Sequence, residues 1–162
     1  MQTTKISILI FIIFFCFCAC KSDTSKKVTD PVIVTKKEDR FYSIPQDIIM
    51  EIWNEADILD YIFHDLPFSM SQDQQASIRT NVTYIGQIAQ PDIPAGCKPM
   101  ARQVYGKKGE IFLEADIYFD ANCQFYVFIV NGKPKYANKM SEEGVNFFKA
   151  MISQALKSGG AG

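Results

Sequence analysis

Two cysteines, one histidine and a row of carboxylates are the residues of this chain whose types and spacing best suit chemistry. Cys97 and Cys123 are the only cysteines beyond the first twenty residues, an even number that fits a disulfide in an oxidising compartment. Such a bridge would restrict the unfolded chain and stabilise the fold by about 2–4 kcal/mol. Buried free thiols are the alternative, and a catalytic thiol is disfavoured because no base stands nearby in sequence. His64 is the only histidine, which excludes any site needing two imidazoles from one chain. With Asp60 at i, i+4 it forms a candidate acid–base couple on a helix. A cation held by a helix C-terminus and one carboxylate explains the same spacing more simply. Glu110, Glu114, Asp116 and Asp120 recur at even positions with Phe112 and Tyr118. Paired carboxylates can do general acid–base work or hold calcium. Along a strand, however, alternate residues stand about 7 Å apart, and a solvated face is the ordinary reason for such a row. Rings interleaved with charges give Phe112, Glu114, Asp116 and Tyr118 the character of a protein-interaction face. Were that face to lie beneath a helix, Glu114 or Asp116 would need Arg102 or a lysine close by. There is no phosphate loop, dinucleotide fingerprint, nucleophile elbow or zinc-ligand spacing. Neither a cofactor nor a metal is expected.

The elements that must position these residues follow from hydrophobic period. Ser43-Ile44-Pro45-Gln46 has the form of a capping box with proline in the first turn. Ile49, Ile52, Ala56, Leu59, Phe63 and Leu66 then recur at steps of three and four, which predicts one amphipathic helix ending near Pro67. A second helix, capped near Gln74, carries Ile78, Val82 and Ile85 and stops near Gly86; Pro91 and Pro94 mark a loop. The period changes to two at Glu110–Phe119, a half-buried strand. It is preceded by a strand from Met100 to Tyr105 and a loop at Gly106-Lys107-Lys108-Gly109. Gln124–Val130 is apolar almost throughout, so both its faces should be covered. Asn131-Gly132 is a strong hairpin signal, and a short strand near Lys135-Tyr136 should follow. Ser141-Glu142-Glu143 opens a last helix with Val145, Phe148, Ile152 and Ala155 inward. The expected fold is α+β: two N-terminal helices, a four-stranded antiparallel meander sheet and a C-terminal helix. In a meander a whole strand would separate Cys97 from Cys123, placing their Cα atoms about 9–10 Å apart, whereas a disulfide tolerates less than about 7 Å. Cys97 must therefore curl over the strand end, which Pro94, Gly96 and Pro99 allow.

Length and composition bound the rest. The chain has 162 residues, 48% hydrophobic and 22% charged, enough for one globular domain. Its net charge of −1, without a basic cluster, argues against nucleic acid as a partner. Residues 21–40 carry six basic and four acidic side chains around a single apolar cluster, Pro31-Val32-Ile33-Val34. That composition reads as a solvated tether.

The first twenty residues stand apart. Lys5 precedes a run from Ile6 to Ala19 in which Ser7 is the one clearly polar residue, too short to cross the roughly 30 Å hydrocarbon core of a membrane. A positive start, an apolar stretch and small residues near its end read as a secretory signal peptide. It closes on Phe17-Cys18-Ala19-Cys20, followed by the polar Lys21-Ser22-Asp23. This end resembles the lipobox of bacterial lipoproteins, with phenylalanine where leucine is commoner and Cys18 where a small residue is usual. The resemblance covers residues 1–20 only. It implies cleavage after residue 19, diacylglycerol on Cys20, and a membrane-anchored protein in the cell envelope facing the periplasm or the cell surface. The expected organisation is a signal peptide over 1–19, a lipidated cysteine and tether over 20–40, and one α+β domain over 41–162. The expected function is a non-enzymatic module binding a protein or another envelope component. An immunity-type inhibitor of a toxin is the alternative, and a carboxylate-dependent hydrolase using Glu114, Asp116 and His64 comes last.

Overall fold

Side-chain alternation, not helical spacing, governs Ile58–Phe63. The computed structural model describes residues 40–120 and 122–159. In it Leu59, Tyr61 and Phe63 are buried while Ile58 and Ile62 are exposed, and the segment forms strand β1 (Ile58–Phe63). Helix α1 is confined to Gln46–Glu55. Leu59 and Phe63 prolong the helical stripe on paper, but an i, i+4 pair also shares one face of a strand. Tyr61 between them, in a run rich in β-branched and aromatic residues, decides the period. The capping box does not form either: Pro45 is the N-cap, no side chain caps it, and Ser43 Oγ donates instead to the Gln87 carbonyl at 3.3 Å. Beyond the loop carrying His64 comes β2 (Ser69–Gln72), antiparallel to β1 with Leu59 opposite Gln72. Helix α2 (Gln75–Val82) follows, and the chain then forms β3 (Ile85–Ala89) where the second helix was expected to stop.

The remaining strands are β4 (Ala101–Lys107), β5 (Glu110–Phe119), β6 (Gln124–Val130) and β7 (Lys133–Met140). The last helix is α3 (Glu142–Gly159), whose Gly144 N–H donates to Ser141 Oγ at 3.2 Å. Lys108 and Gly109 (φ 53° and 82°), then Asn131 and Gly132 (φ 53° and 72°), make two tight left-handed turns. Such turns match the twist of the strands they join. The expected four-stranded meander behind two consecutive helices is thus corrected. The described residues form an α+β unit with three helices and one seven-stranded sheet of order β2-β1-β4-β5-β6-β7-β3. Every neighbouring pair is antiparallel. What overturns the smaller sheet is a hairpin lodged between α1 and α2, and a strand after α2 that crosses to the far edge beside β7.

All three helices pack on one face. Ile52, Ile78, Val82 and Phe148 join Leu59, Tyr61, Tyr105, Leu113, Ile117, Tyr126 and Phe128 in the main core. The opposite face carries a smaller cluster of Tyr118, Cys123, Phe125, Val127 and Ala137, against which Phe41 and Cys97 pack. Strand β6 feeds both, with Tyr126 and Phe128 on one side and Phe125 and Val127 on the other. No helix among the described residues is long and apolar enough to cross a membrane. Cys20, residues 1–19, the tether up to residue 39, and residues 121 and 160–162 lie outside the described residues.

Cys97 and Cys123 are bonded, S–S 2.04 Å, with Cα atoms 5.8 Å apart although β5 runs between their strands. Cys97 covers that gap from a turn ahead of β4, its N–H donating to the Pro94 carbonyl at 3.1 Å, with Gly96 at φ 91°. The closed loop spans 26 positions, for which restriction of the unfolded chain contributes roughly 3–4 kcal/mol. Thermal unfolding with and without reductant should therefore differ by a drop in midpoint of more than about 10 °C. The Cys97→Ala/Cys123→Ala variant should reproduce the reduced value, and coincident curves would refute this contribution.

Candidate functional site

The residues expected to form one interaction face are separated by the fold. Tyr105 pairs with Leu113 and Gly106 with Ile111, so β5 holds one extra residue opposite Gly106. A bulge of this kind re-aims the side chains beside it. Phe112 consequently packs against the helix-side core, with Lys107 Nζ 5.0 Å from its ring centre. Lys107 also meets Glu51 and, at 3.4 Å, Glu55 of α1. Gly106 is required at this point, since a Cβ there would stand 2.4 Å from Ile58 Cγ2. Tyr118 lies at the other end of β5, buried and stacked on Phe125 with ring centres 4.5 Å apart. Phe112 and Tyr118 therefore share no exposed patch.

Glu114 and Asp116 remain between them, and Arg102 engages both. Its Nε and one terminal nitrogen donate to Asp116 Oδ1 at 2.9 and 2.7 Å, and the other terminal nitrogen stands 3.6 Å from Glu114. The register sets this pairing, with Arg102 directly opposite Asp116. Partial burial opposes the charge on Arg102, but the hydrogen bond and attraction of Asp116, then of Glu114, outweigh it and hold the guanidinium above its usual range. The trio is a mutually paired ion cluster. His64 sits exposed in the β1–β2 loop, its backbone N–H held by the Met100 carbonyl at 2.9 Å. Asp60 is in β1, so the i, i+4 helical pairing with His64 does not form; four strand residues span about 13 Å.

Sequence reasoning missed a polar chain buried in the core. Tyr61 donates to Asn81 Oδ1, Gln103 Nε2 donates to the Tyr61 hydroxyl at 2.8 Å, and Tyr105 donates to Gln103 Oε1 at 3.2 Å. Asn81 Nδ2 in turn donates to Gln72 Oε1 at 2.6 Å. The chain ties α2, β1, β2 and β4 together within the apolar layer. Tyr126 lies close by, fully buried, and its hydroxyl has no hydrogen-bond partner among the described residues. Burial pushes the phenols of Tyr61, Tyr105 and Tyr126 well above their ordinary values, and their mutual repulsion adds to this for Tyr61 and Tyr126.

A cleft of about 820 Å³ opens where α1 begins, α2 ends and β3 starts. Ile44, Ile49, Val82 and Ile85 supply its apolar surface, and Ser43, Gln46, Thr83, Gln87, Asn138 and Ser141 its polar groups. None of the lining side chains is charged. Asn138 anchors one wall: it is buried, its Oδ1 accepts from Ile44 N–H at 2.8 Å, and its Nδ2 donates to the Gly86 carbonyl at 2.8 Å. No sequence signal marked this site, because its residues come from three separate segments and form no motif. Its size and its mix of apolar floor and few polar groups are those of a ligand-binding concavity. None of the protein-family models, curated proteins or solved structures compared with the chain matches it.

The buried phenols make a pH prediction. Below about pH 10 they are neutral in folded and unfolded chains alike, so they add no pH dependence to stability. Above it the unfolded chain ionises while the folded one resists, and stability falls as pH rises. Absorbance at 295 nm should show a late step coinciding with loss of the far-ultraviolet circular dichroism signal. Completion of the phenolate titration before unfolding would contradict the burial.

Proposed function

We propose that residues 41–162 form a non-enzymatic binding module, carried on a lipid-modified Cys20 in the cell envelope, whose cleft beside β3 receives its partner. The single observation supporting this reading is where the reactive groups stand relative to the cleft described above. The cleft contains no titratable side chain. Arg102 is committed to Asp116 and Glu114, Cys97 is bonded to Cys123, and His64 stands in a solvated loop. A nucleophile, a base and a stabilising donor converging on one reacting atom are what acid–base catalysis needs. A cleft with an apolar floor and neutral hydrogen-bonding groups suits recognition instead. Membrane attachment rests on the lipobox-like end at Cys20, where several acyl chains would anchor stably.

Two measurements test the two halves of the reading. Cys20→Ala, or treatment with globomycin, should leave a larger, unprocessed precursor; normal processing of the variant would refute lipidation there. A photo-crosslinking residue at Gln87, on the rim of the cleft, should yield a discrete adduct on intact cells, and the same group at Lys133 should not. Adducts from Lys133 alone, or from neither position, would refute the cleft as the docking site.

A further inference from the structure

A second concavity, of about 490 Å³, lies beside the C-terminal half of α3. Phe119, Ile152 and Leu156 are its apolar residues, Lys149 and Lys157 its charged ones, and Ser153 completes the lining. Leu156 is 63% exposed, and both lysines are exposed as well. The five helical residues fall at i, i+3, i+4, i+7 and i+8, so they share one stripe of α3. The two lysines stand about 12 Å apart along the helix axis. Glu142 and Glu143 lie in the first turn, and α3 carries no acidic residue after them. The stripe is thus purely cationic, although in residues 41–162 acidic side chains outnumber basic ones by 14 to 10. Lys157 also suits the negative end of the helix, but Lys149, near its middle, does not. Phe119 ends β5 next to Asp120, whose Oδ1 already accepts from the Asn122 and Cys123 N–H groups at 2.9 and 3.1 Å. Cys123 belongs to the small cluster against which Phe41 packs. The groove and the point where the chain enters the fold therefore share one end of the sheet.

We propose that this groove rests on the anionic surface of the membrane to which Cys20 is anchored, with Ile152 and Leu156 entering the interface and Lys149 and Lys157 pairing with lipid phosphates. The inference rests on the lipidation proposed for Cys20 and gives the folded unit a membrane contact of its own. Nineteen residues separate Cys20 from Arg40, a span of at most about 70 Å when fully extended, so the bilayer surface is within reach of the groove at high local concentration. An apolar stripe bracketed by lysines is what an interfacial helix presents: aliphatic side chains at the headgroup boundary, ammonium groups at the phosphates. With the anchor holding the chain, these four side chains need only orient the unit. Each lysine close to an anionic surface supplies about a fivefold preference for that orientation. A second copy docked here would bring like charges together, and six lining residues fall well short of the 20–30 per partner of a stable interface. The same shortfall of area counts against an acidic protein.

The test uses the full-length, lipidated protein in nanodiscs of phosphatidylcholine, alone or with an equal share of phosphatidylglycerol. A photo-crosslinking residue in place of Leu156 should form lipid adducts about fivefold or more efficiently in the anionic nanodiscs. The same group in place of Ile111, an equally exposed aliphatic residue at the other end of β5, should form few in either. Lys149→Glu/Lys157→Glu, changes at exposed side chains, should cut the adducts from position 156 by about tenfold or more with the melting temperature unchanged. Lys149→Arg/Lys157→Arg should keep them, and high salt should remove them. The proposal is overturned by absence of lipid adducts at position 156, by equal yields in the neutral nanodiscs or from position 111, or by indifference to the glutamate substitutions. Adducts to a protein instead of lipid on intact cells would assign the groove to a protein partner and overturn it too. If lipid adducts are absent while Cys20→Ala leaves an unprocessed precursor, the inference falls and the lipid anchor stands. If they are absent and that variant is processed normally, both fall.

Discussion

A buried amide helps to hold the sheet's far edge in place. Asn138 lies in β7 where the ladder to β3 loses its regular register, and it replaces the missing backbone bonds with its own side chain. One end takes the Gly86 carbonyl and the other takes the Ile44 N–H, so the start of α1, the edge strand and β7 are joined at one point. Inside the layer such groups must find partners, since an orphaned buried donor or acceptor is destabilising by about 1–3 kcal/mol. Both halves of this amide are used, and the cleft is the space left between the elements it fastens.

The two faces of the sheet are stabilised differently. Beneath the helices, a wide apolar layer is threaded by the Asn81–Tyr61–Gln103–Tyr105 chain, which adds directionality to packing that would otherwise tolerate sliding. Among the described residues, the cluster on the other face holds no helical residue. The disulfide reaches across the end of β5, while Arg102 joins Glu114 and Asp116 from the neighbouring strand.

What could be read in the sequence was what depends on near neighbours. The turns at Lys108-Gly109 and Asn131-Gly132 announce themselves because glycine and asparagine tolerate positive φ. Alternation along Leu113–Ile117 is a local property of a strand with one buried face. The failures all involve distant partners. Leu59 and Phe63 satisfy a helical and an extended period equally; Tyr61 tips the run towards a strand, and pairing with β2 and with β4, some forty residues onward, fixes it. β3 carries a glycine that reads as a stop, and its place beside β7 is set by a partner fifty residues away. The bulge that turns Phe112 from the carboxylate row exists because Gly106 faces two residues, which no inspection of β5 alone discloses. The cleft, gathered from three segments, had no motif to betray it.

The first described residues are not a loose end. Phe41 donates its N–H to Pro91 and lodges its ring among the residues around Cys97 and Cys123, while the Tyr42 carbonyl accepts from Ala137. Tension reaching this point along the chain is therefore delivered to the crosslinked corner, to an interior strand and, through the Ser43–Gln87 bond and Pro91, to β3 itself.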